Sequence, residues 1–102
     1  MIKSINNISA LKLIDETKDL LILDVRRFSE FKSGKIPKSI NIPVDELEYE
    51  LEEIEEYKDK PILVYCKSGI RSSVACSLLE EEGFSHLYNL RGGILDYTGT
   101  IE

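Results

Sequence analysis

This sequence predicts an α/β domain built on a small, open, mostly parallel five-stranded sheet with helices on both faces. Three observations lead there. Short apolar runs alternate with segments of helical period along the whole chain. The runs Leu20-Leu21-Ile22-Leu23 and Ile62-Leu63-Val64-Tyr65 are continuous, as in strands buried on both faces. Right-handed crossovers between parallel strands then place helices on both sides. With 102 residues and no linker, repeat or low-complexity stretch, residues 1–102 are expected to form one domain around one core.

Taken in order, Ile2 to Ile5 reads as a first strand. Ser9 is the expected N-cap of a helix reaching about Thr17, with Ala10, Leu11 and Ile14 on one face. The strand Leu20 to Leu23 follows and ends in Asp24-Val25-Arg26. Phe28 to Ser33 reads as a short helix stopped by Gly34, with Phe28 and Phe31 sharing a face. Ile36-Pro37 cannot continue it, and Ser39 to Ile42 reads as a short strand closed by Pro43. Asp45 with Glu48 resembles a capping box, and Leu47, Leu51 and Ile54 recur at helical spacing. An amphipathic helix with an acidic outer face is expected there.

Ile62 to Tyr65 is the central strand and leads into a loop at Cys66. Ser72 to Glu82 is the helix after it, with Val74, Ala75, Leu78 and Leu79 as its apolar stripe and Gly83 at its C-terminal cap. His86 to Leu90 is the last strand. Gly92-Gly93 makes a turn, and Ile94 to Tyr97 begins a final short helix.

Composition narrows the classes. Net charge is −6, which argues against nucleic acid or an anionic membrane as a partner. The acidity is local: Asp45 to Glu56 holds eight acids and no base, and the remainder carries 13 bases against 11 acids. That acidic face reads as a solvated surface that keeps the chain soluble; a docking surface for a basic partner is the rival reading. No apolar run nears the roughly 18 residues of a spanning helix, and Met1 to Asn7 lacks a signal-peptide core. A cytoplasmic location is the expectation. Two cysteines make no disulfide framework, and with a single histidine and no C-x-x-C pair no metal site is expected.

The chemistry concentrates at Cys66-Lys67-Ser68-Gly69-Ile70-Arg71-Ser72. A strand leads in and a helix leads out, so Cys66 sits just before a helix N-terminus. The first N–H groups of a helix have no intrahelical partner and favour an anion. They and neighbouring Lys or Arg lower a thiol pKa below its free value of about 8.5. Gly69 lets the loop curl so that N–H groups converge, and Arg71 offers a planar fork to an oxyanion. Cys66 is therefore the expected nucleophile rather than a buried hydrophobe. Asp24 and Arg26 also follow an apolar run and are expected at the same sheet edge, where ligands bind in open α/β sheets. Cys76 reads as packing at the edge of the following helix's stripe rather than as a resolving thiol. His86, at a strand end, reads as surface rather than as a general base.

Residues 66–72 resemble the active-site loop of the rhodanese-like sulfurtransferases, often C-x-x-G-x-R-S. Leu23-Asp24-Val25-Arg26 resembles the family's D-V-R stretch. Gly34-Lys35-Ile36-Pro37-Lys38-Ser39-Ile40-Asn41-Ile42-Pro43 resembles its G-H-I-P-G-A-x-N-I-P segment, and Leu90-Arg91-Gly92-Gly93-Ile94 its closing L-x-G-G-I. The four pieces span nearly the whole chain in the family's order. There are departures. Lys35 replaces histidine and Tyr97 a tryptophan, both as packing or surface changes. Lys38-Ser39 replaces Gly-Ala, and a lysine tolerates positive φ poorly.

The resemblance implies a two-step reaction without cofactor. The Cys66 thiolate takes a sulfane sulfur from thiosulfate or a persulfide and passes it to a thiophilic acceptor such as cyanide or a protein thiol. Residues 67–72 would form the substrate-binding loop, with Lys67 and Arg71 attracting an anionic donor and Asp24 and Arg26 supporting the site. The rival readings are a cysteine-dependent phosphatase or arsenate reductase and a non-catalytic rhodanese-like binding module. Loop length favours sulfur: Cys66 and Arg71 make a C-x4-R spacing, whereas tyrosine-phosphatase-like enzymes use C-x5-R.

Overall fold

A computed structural model describes all residues, 1–102. Its elements are β1 (Ile2–Ile5), α1 (Asn7–Glu16), β2 (Leu21–Asp24), α2 (Phe28–Ser33), β3 (Ile40–Asn41), two 3₁₀ segments (Leu47–Tyr49 and Leu51–Tyr57), β4 (Pro61–Tyr65), α3 (Ile70–Glu81), β5 (His86–Leu90) and α4 (Gly93–Asp96). The five strands form one sheet in the order β1-β5-β4-β2-β3, and every pairing is parallel.

The apolar runs in β2 and β4 are continuous because alternate side chains enter different cores. Leu21, Leu23, Ile62 and Val64 pack with Ala75, Cys76 and Leu79 of α3 and with Leu47 and Ile54 of the 3₁₀ segments. Ile22, Leu63 and Tyr65 face the other way, onto Ala10 of α1, Ile36 and Leu90. No helix is long and apolar enough to cross a membrane.

Several expectations change in detail. Asn6, not Ser9, caps α1: its side chain accepts the Ser9 N–H at 2.9 Å, as an N-cap asparagine does. Segment 45–56 is not an α-helix. Leu47 and Ile54 are fully buried as the spacing requires, but the backbone reaches them through two 3₁₀ pieces hinged at Glu50, and Ile54 is non-helical. Glu48–Glu52 and Glu52–Glu56 would repel at α-helical spacing, with no base in the segment to offset them. The chain there follows the burial of its two apolar anchors instead.

The stripe of α3 is also rotated from the expected one. Ser72, Ala75, Cys76 and Leu79 are buried, while Val74 is 59% exposed. Cys76 thus lies in the centre of the packed face, not at its edge. At the helix end the Phe84 N–H bonds to the Leu79 carbonyl at 3.0 Å and the Gly83 N–H to that of Glu80 at 3.1 Å. This paired closure is a Schellman cap.

Candidate functional site

Pairing register brings the C-terminal ends of β2, β4 and β5 together, with Asp24 opposite Tyr65 and Val64 opposite Asn89. The chain leaves β4 at Cys66, turns through Lys67, Ser68 and Gly69, and enters α3 at Ile70. Gly69 makes the turn at φ +99°, and a Cβ there would collide with the Arg91 carbonyl. No other residue fits both demands.

The curl aims donors at one sulfur. Cys66 Sγ accepts the Gly69 N–H at 3.1 Å and the Ser72 N–H at 3.4 Å, and the Ser72 hydroxyl lies 3.4 Å away. Cys66 is 1% exposed, so the sulfur forms the floor of the loop. Burial alone would raise its pKa. That is outweighed by the Ser72 hydroxyl and by the backbone N–H groups of Ser72, Gly69 and Ser68, and the net shift is downward. Hydrogen bonds from the loop and the first turn of α3 thus achieve what sequence reasoning shared between a helix N-terminus and nearby cations. Cys76 is the opposite case: burial, then the field of Cys66, pushes its thiol up to about 12.

The cations stand differently from one another. Lys67 is exposed and lines a cleft of about 610 Å³ with Val25, Arg27, Glu30, Val44 and Arg71. Arg71 is engaged: Nη1 and Nη2 bond to Glu30 Oε1 and Oε2 at 2.7 and 3.1 Å. The Arg71 guanidinium holds the Glu30 carboxyl down at about 2, and Arg71 is raised in turn. Ser68 is exposed, and Ile70 is 74% exposed on the rim.

Asp24 and Arg26 come together with each other rather than with the sulfur. Arg26 Nη2 bonds to Asp24 Oδ2 at 2.7 Å and to the Gly34 carbonyl at 2.6 Å, and the Arg26 N–H bonds to Asp24 Oδ1 at 2.9 Å. Both residues are buried. Asn41 Nδ2 donates to the Asp24 and Arg26 carbonyls at 3.0 and 2.8 Å and ties β3 to them. Desolvation is the largest single influence and opposes the Arg26 charge, but the hydrogen bond and charge of Asp24, joined by Tyr65, together outweigh it and the pKa is raised. Such a buried pair fixes the path of the chain between β2 and α2.

Residues 7–100 match the rhodanese-like domain family. The chain belongs to that family. This rhodanese-like domain is 35% identical over 95 residues to a sulfurtransferase of Allochromatium vinosum, covering 93% of this chain and 87% of that one. It is 39% identical over 83 residues to a tRNA uridine(34) hydroxylase of Acinetobacter baumannii, covering 78% of this chain but 26% of that protein. Among solved structures, a rhodanese-related protein from Thermoplasma volcanium superposes with a TM-score of 0.84 at 31% identity, over 98% of this chain and 97% of that one.

Two residues of the rhodanese-like site, Glu30 and Asn89, escaped sequence reasoning, and Gly93 was read only as part of a turn and of the closing L-x-G-G-I resemblance. Glu30, in the first turn of α2, grips Arg71. Asn89, a polar residue in the last strand, accepts the Ser72 hydroxyl at 2.5 Å. Gly93, at φ +64°, packs so closely under the loop that a Cβ would strike the Lys67 carbonyl. An acid three residues beyond Arg27 was a visible signal for Glu30, and a buried asparagine among apolar neighbours one for Asn89. Nothing local marked their partners.

Proposed function

We propose that this rhodanese-like domain transfers sulfane sulfur through a persulfide on Cys66. The observation that carries the reading is the convergence of the Gly69 and Ser72 N–H groups on Cys66 Sγ. These donors hold a negative sulfur in place without any cation covering it. In the first step the thiolate attacks the outer sulfur of thiosulfate. A new S–S bond forms, the old one breaks, and sulfite leaves with its electron pair. In the second step an acceptor nucleophile attacks the terminal sulfur of Cys66–S–S⁻ and the thiolate is restored. With cyanide the product is thiocyanate. No redox partner is consumed with thiosulfate and cyanide.

The cleft at the loop suits an anionic donor. Lys67 and Arg27 stand exposed on its wall, while Arg71 is shared with Glu30, so Lys67 and Arg27 supply the free positive charge. The physiological substrate class is a small anionic sulfur donor or a persulfide, with a protein thiol as the alternative acceptor to cyanide.

Thiosulfate with cyanide, assayed for wild type against Cys66→Ser, tests the reading. Thiocyanate should form only with Cys66 present, and mass spectrometry after thiosulfate alone should find one added sulfur atom on Cys66. Cysteine-dependent phosphate release from an aryl phosphate, without sulfur transfer, would overturn the reading in favour of a phosphatase.

A further inference from the structure

The Ser72 hydroxyl has one proton and two claimants. Its oxygen lies 3.4 Å from Cys66 Sγ and 2.5 Å from Asn89 Oδ1. The asparagine amide is oriented by its other end: Nδ2 faces the Gly69 carbonyl at 3.5 Å. Turned over, it would set two carbonyl oxygens against each other. Oδ1 can only accept, so in this arrangement the Ser72 proton is on the Asn89 side. The serine then offers a lone pair to the sulfur, which suits a thiol S–H and not a thiolate.

Ser72 is fully buried and Asn89 is 7% exposed, so water cannot readily replace a lost partner for either. When the sulfur carries a charge, the hydroxyl must turn to it and leave Asn89 Oδ1 without its donor. We propose that Asn89 is a positioning residue that holds the Ser72 hydroxyl off Cys66 until the sulfur becomes an anion. The inference deepens the sulfur-transfer reading of the same site, but it concerns the charge on Cys66 and is tested without any sulfur substrate.

The other charged groups around the sulfur are accounted for. Arg71 and Cys76 face it from α3, and Lys67 lies on the loop. At the end of β2, Asp24 is held by Arg26, and α2 contributes Glu30 through Arg71. Turn 91–95 gives the loop the N–H groups of Ile94 and Leu95. Asn89 is the group β5 brings to Ser72, and it is uncharged. Replacing it therefore leaves every one of these charges in place.

The test is the ultraviolet absorbance of the thiolate followed against pH, with Cys66→Ser as the blank. Asn89→Leu keeps the bulk and removes both claims of the amide. Its Cys66 midpoint should fall by about one pH unit, the size of one uncharged hydrogen bond. In a Ser72→Ala background the same replacement should shift nothing. A merely structural role predicts the opposite sign, because a loop loosened at Gly69 would weaken its N–H bond to the sulfur and raise the midpoint. Asn89→Asp provides a second arm: its carboxylate would claim the serine proton more strongly, so the midpoint should rise, and by more with Ser72 than without it. A rise or no change in Asn89→Leu would overturn the proposal, as would an Asn89→Leu shift that survives removal of Ser72 or an Asn89→Asp rise no larger with Ser72 than without it. If Asn89→Leu fails to fold, the Asn89→Asp comparison decides alone, by whether its rise is larger with Ser72 than without it.

Discussion

Lys38 occupies the third position of the turn Ile36-Pro37-Lys38-Ser39, at φ +69°. Proline second and positive φ third define a type II turn, for which glycine is the suited third residue. The turn holds a lysine because its surroundings fix it from several sides. The Ser39 N–H and hydroxyl both bond to the Ile36 carbonyl, at 3.1 and 2.7 Å. The Tyr65 hydroxyl accepts the Ile36 N–H at 3.1 Å and lies 3.2 Å from Ser39 Oγ. Burial raises the Tyr65 hydroxyl to about 12, so it stays a neutral partner throughout the ordinary pH range. Lys38→Gly should relieve the strained backbone and stabilise the domain by about 0.5–1 kcal/mol. The check is a higher denaturant midpoint at unchanged slope; a lower midpoint would show that the lysine side chain makes a compensating contact. At this scale the sequence was legible wherever a residue's role is local. Cys66 before a helix and the misfit of lysine in the turn could be read from neighbours in the chain. Glu30 and Asn89 could not, because each is defined by a partner 41 or 17 residues away.

The link between α2 and α3 is a single ion pair. Glu30 also accepts the Arg27 N–H at 3.0 Å, so one carboxylate caps its own helix and anchors Arg71 of the next. Its pKa is depressed from 4.5 to about 2, foremost by the bond from Arg71. The stability it contributes is therefore present above pH 4.5 and lost as pH falls toward 2. The pair is about one-third exposed, and solvent screening reduces its worth to about 1 kcal/mol. Glu30→Gln should cost about that much at pH 7, and the gap from wild type should narrow as pH drops below 4.5. Equal destabilisation at every pH, in paired thermal melts, would mean that the cap rather than the charge matters. Element boundaries were legible where caps are strong, as for α2, whose bounds match the expected ones and which ends at Gly34. They were misjudged where a tertiary contact sets the phase. The helical pattern of residues 72–82 fits two stripes, and only docking on the sheet selects the one that buries Ser72 and Cys76. The acidic segment had the right apolar positions and the wrong turn, since the spacing of Leu47 and Ile54 shows what is buried but not which helical turn carries the chain between them.

Across the whole molecule, the Cys66 loop rests on the C-terminal turn. The Ile94 and Leu95 N–H groups bond to the Cys66 and Lys67 carbonyls at 3.0 and 3.2 Å, and Gly93 lies directly beneath them. Gly93→Ala combines an unfavourable positive φ with a collision against the Lys67 carbonyl. It should destabilise the domain by about 2–4 kcal/mol and raise the Cys66 thiolate midpoint as the N–H groups swing away. Chemical denaturation and thiolate absorbance would check the two effects; an unmoved midpoint would show that the loop keeps its shape without that support. The α/β class and parallel sheet were legible from the alternation of runs and helices. Strand order was not. That β1 lies at one edge against β5 depends on pairings such as Ile2 with Leu87, which no local pattern encodes.

The dependence of the loop on Asn89 and Gly93 also has a consequence in time. A ribosome adds Cys66 before either of them, and at about 5–20 residues per second the gap is on the order of seconds. Through that interval the growing chain carries an ordinary thiol, with neither its anion-holding cradle nor the strand that completes it. The donors that converge on Cys66 Sγ are therefore fully supported only once β5 and the turn behind it have closed.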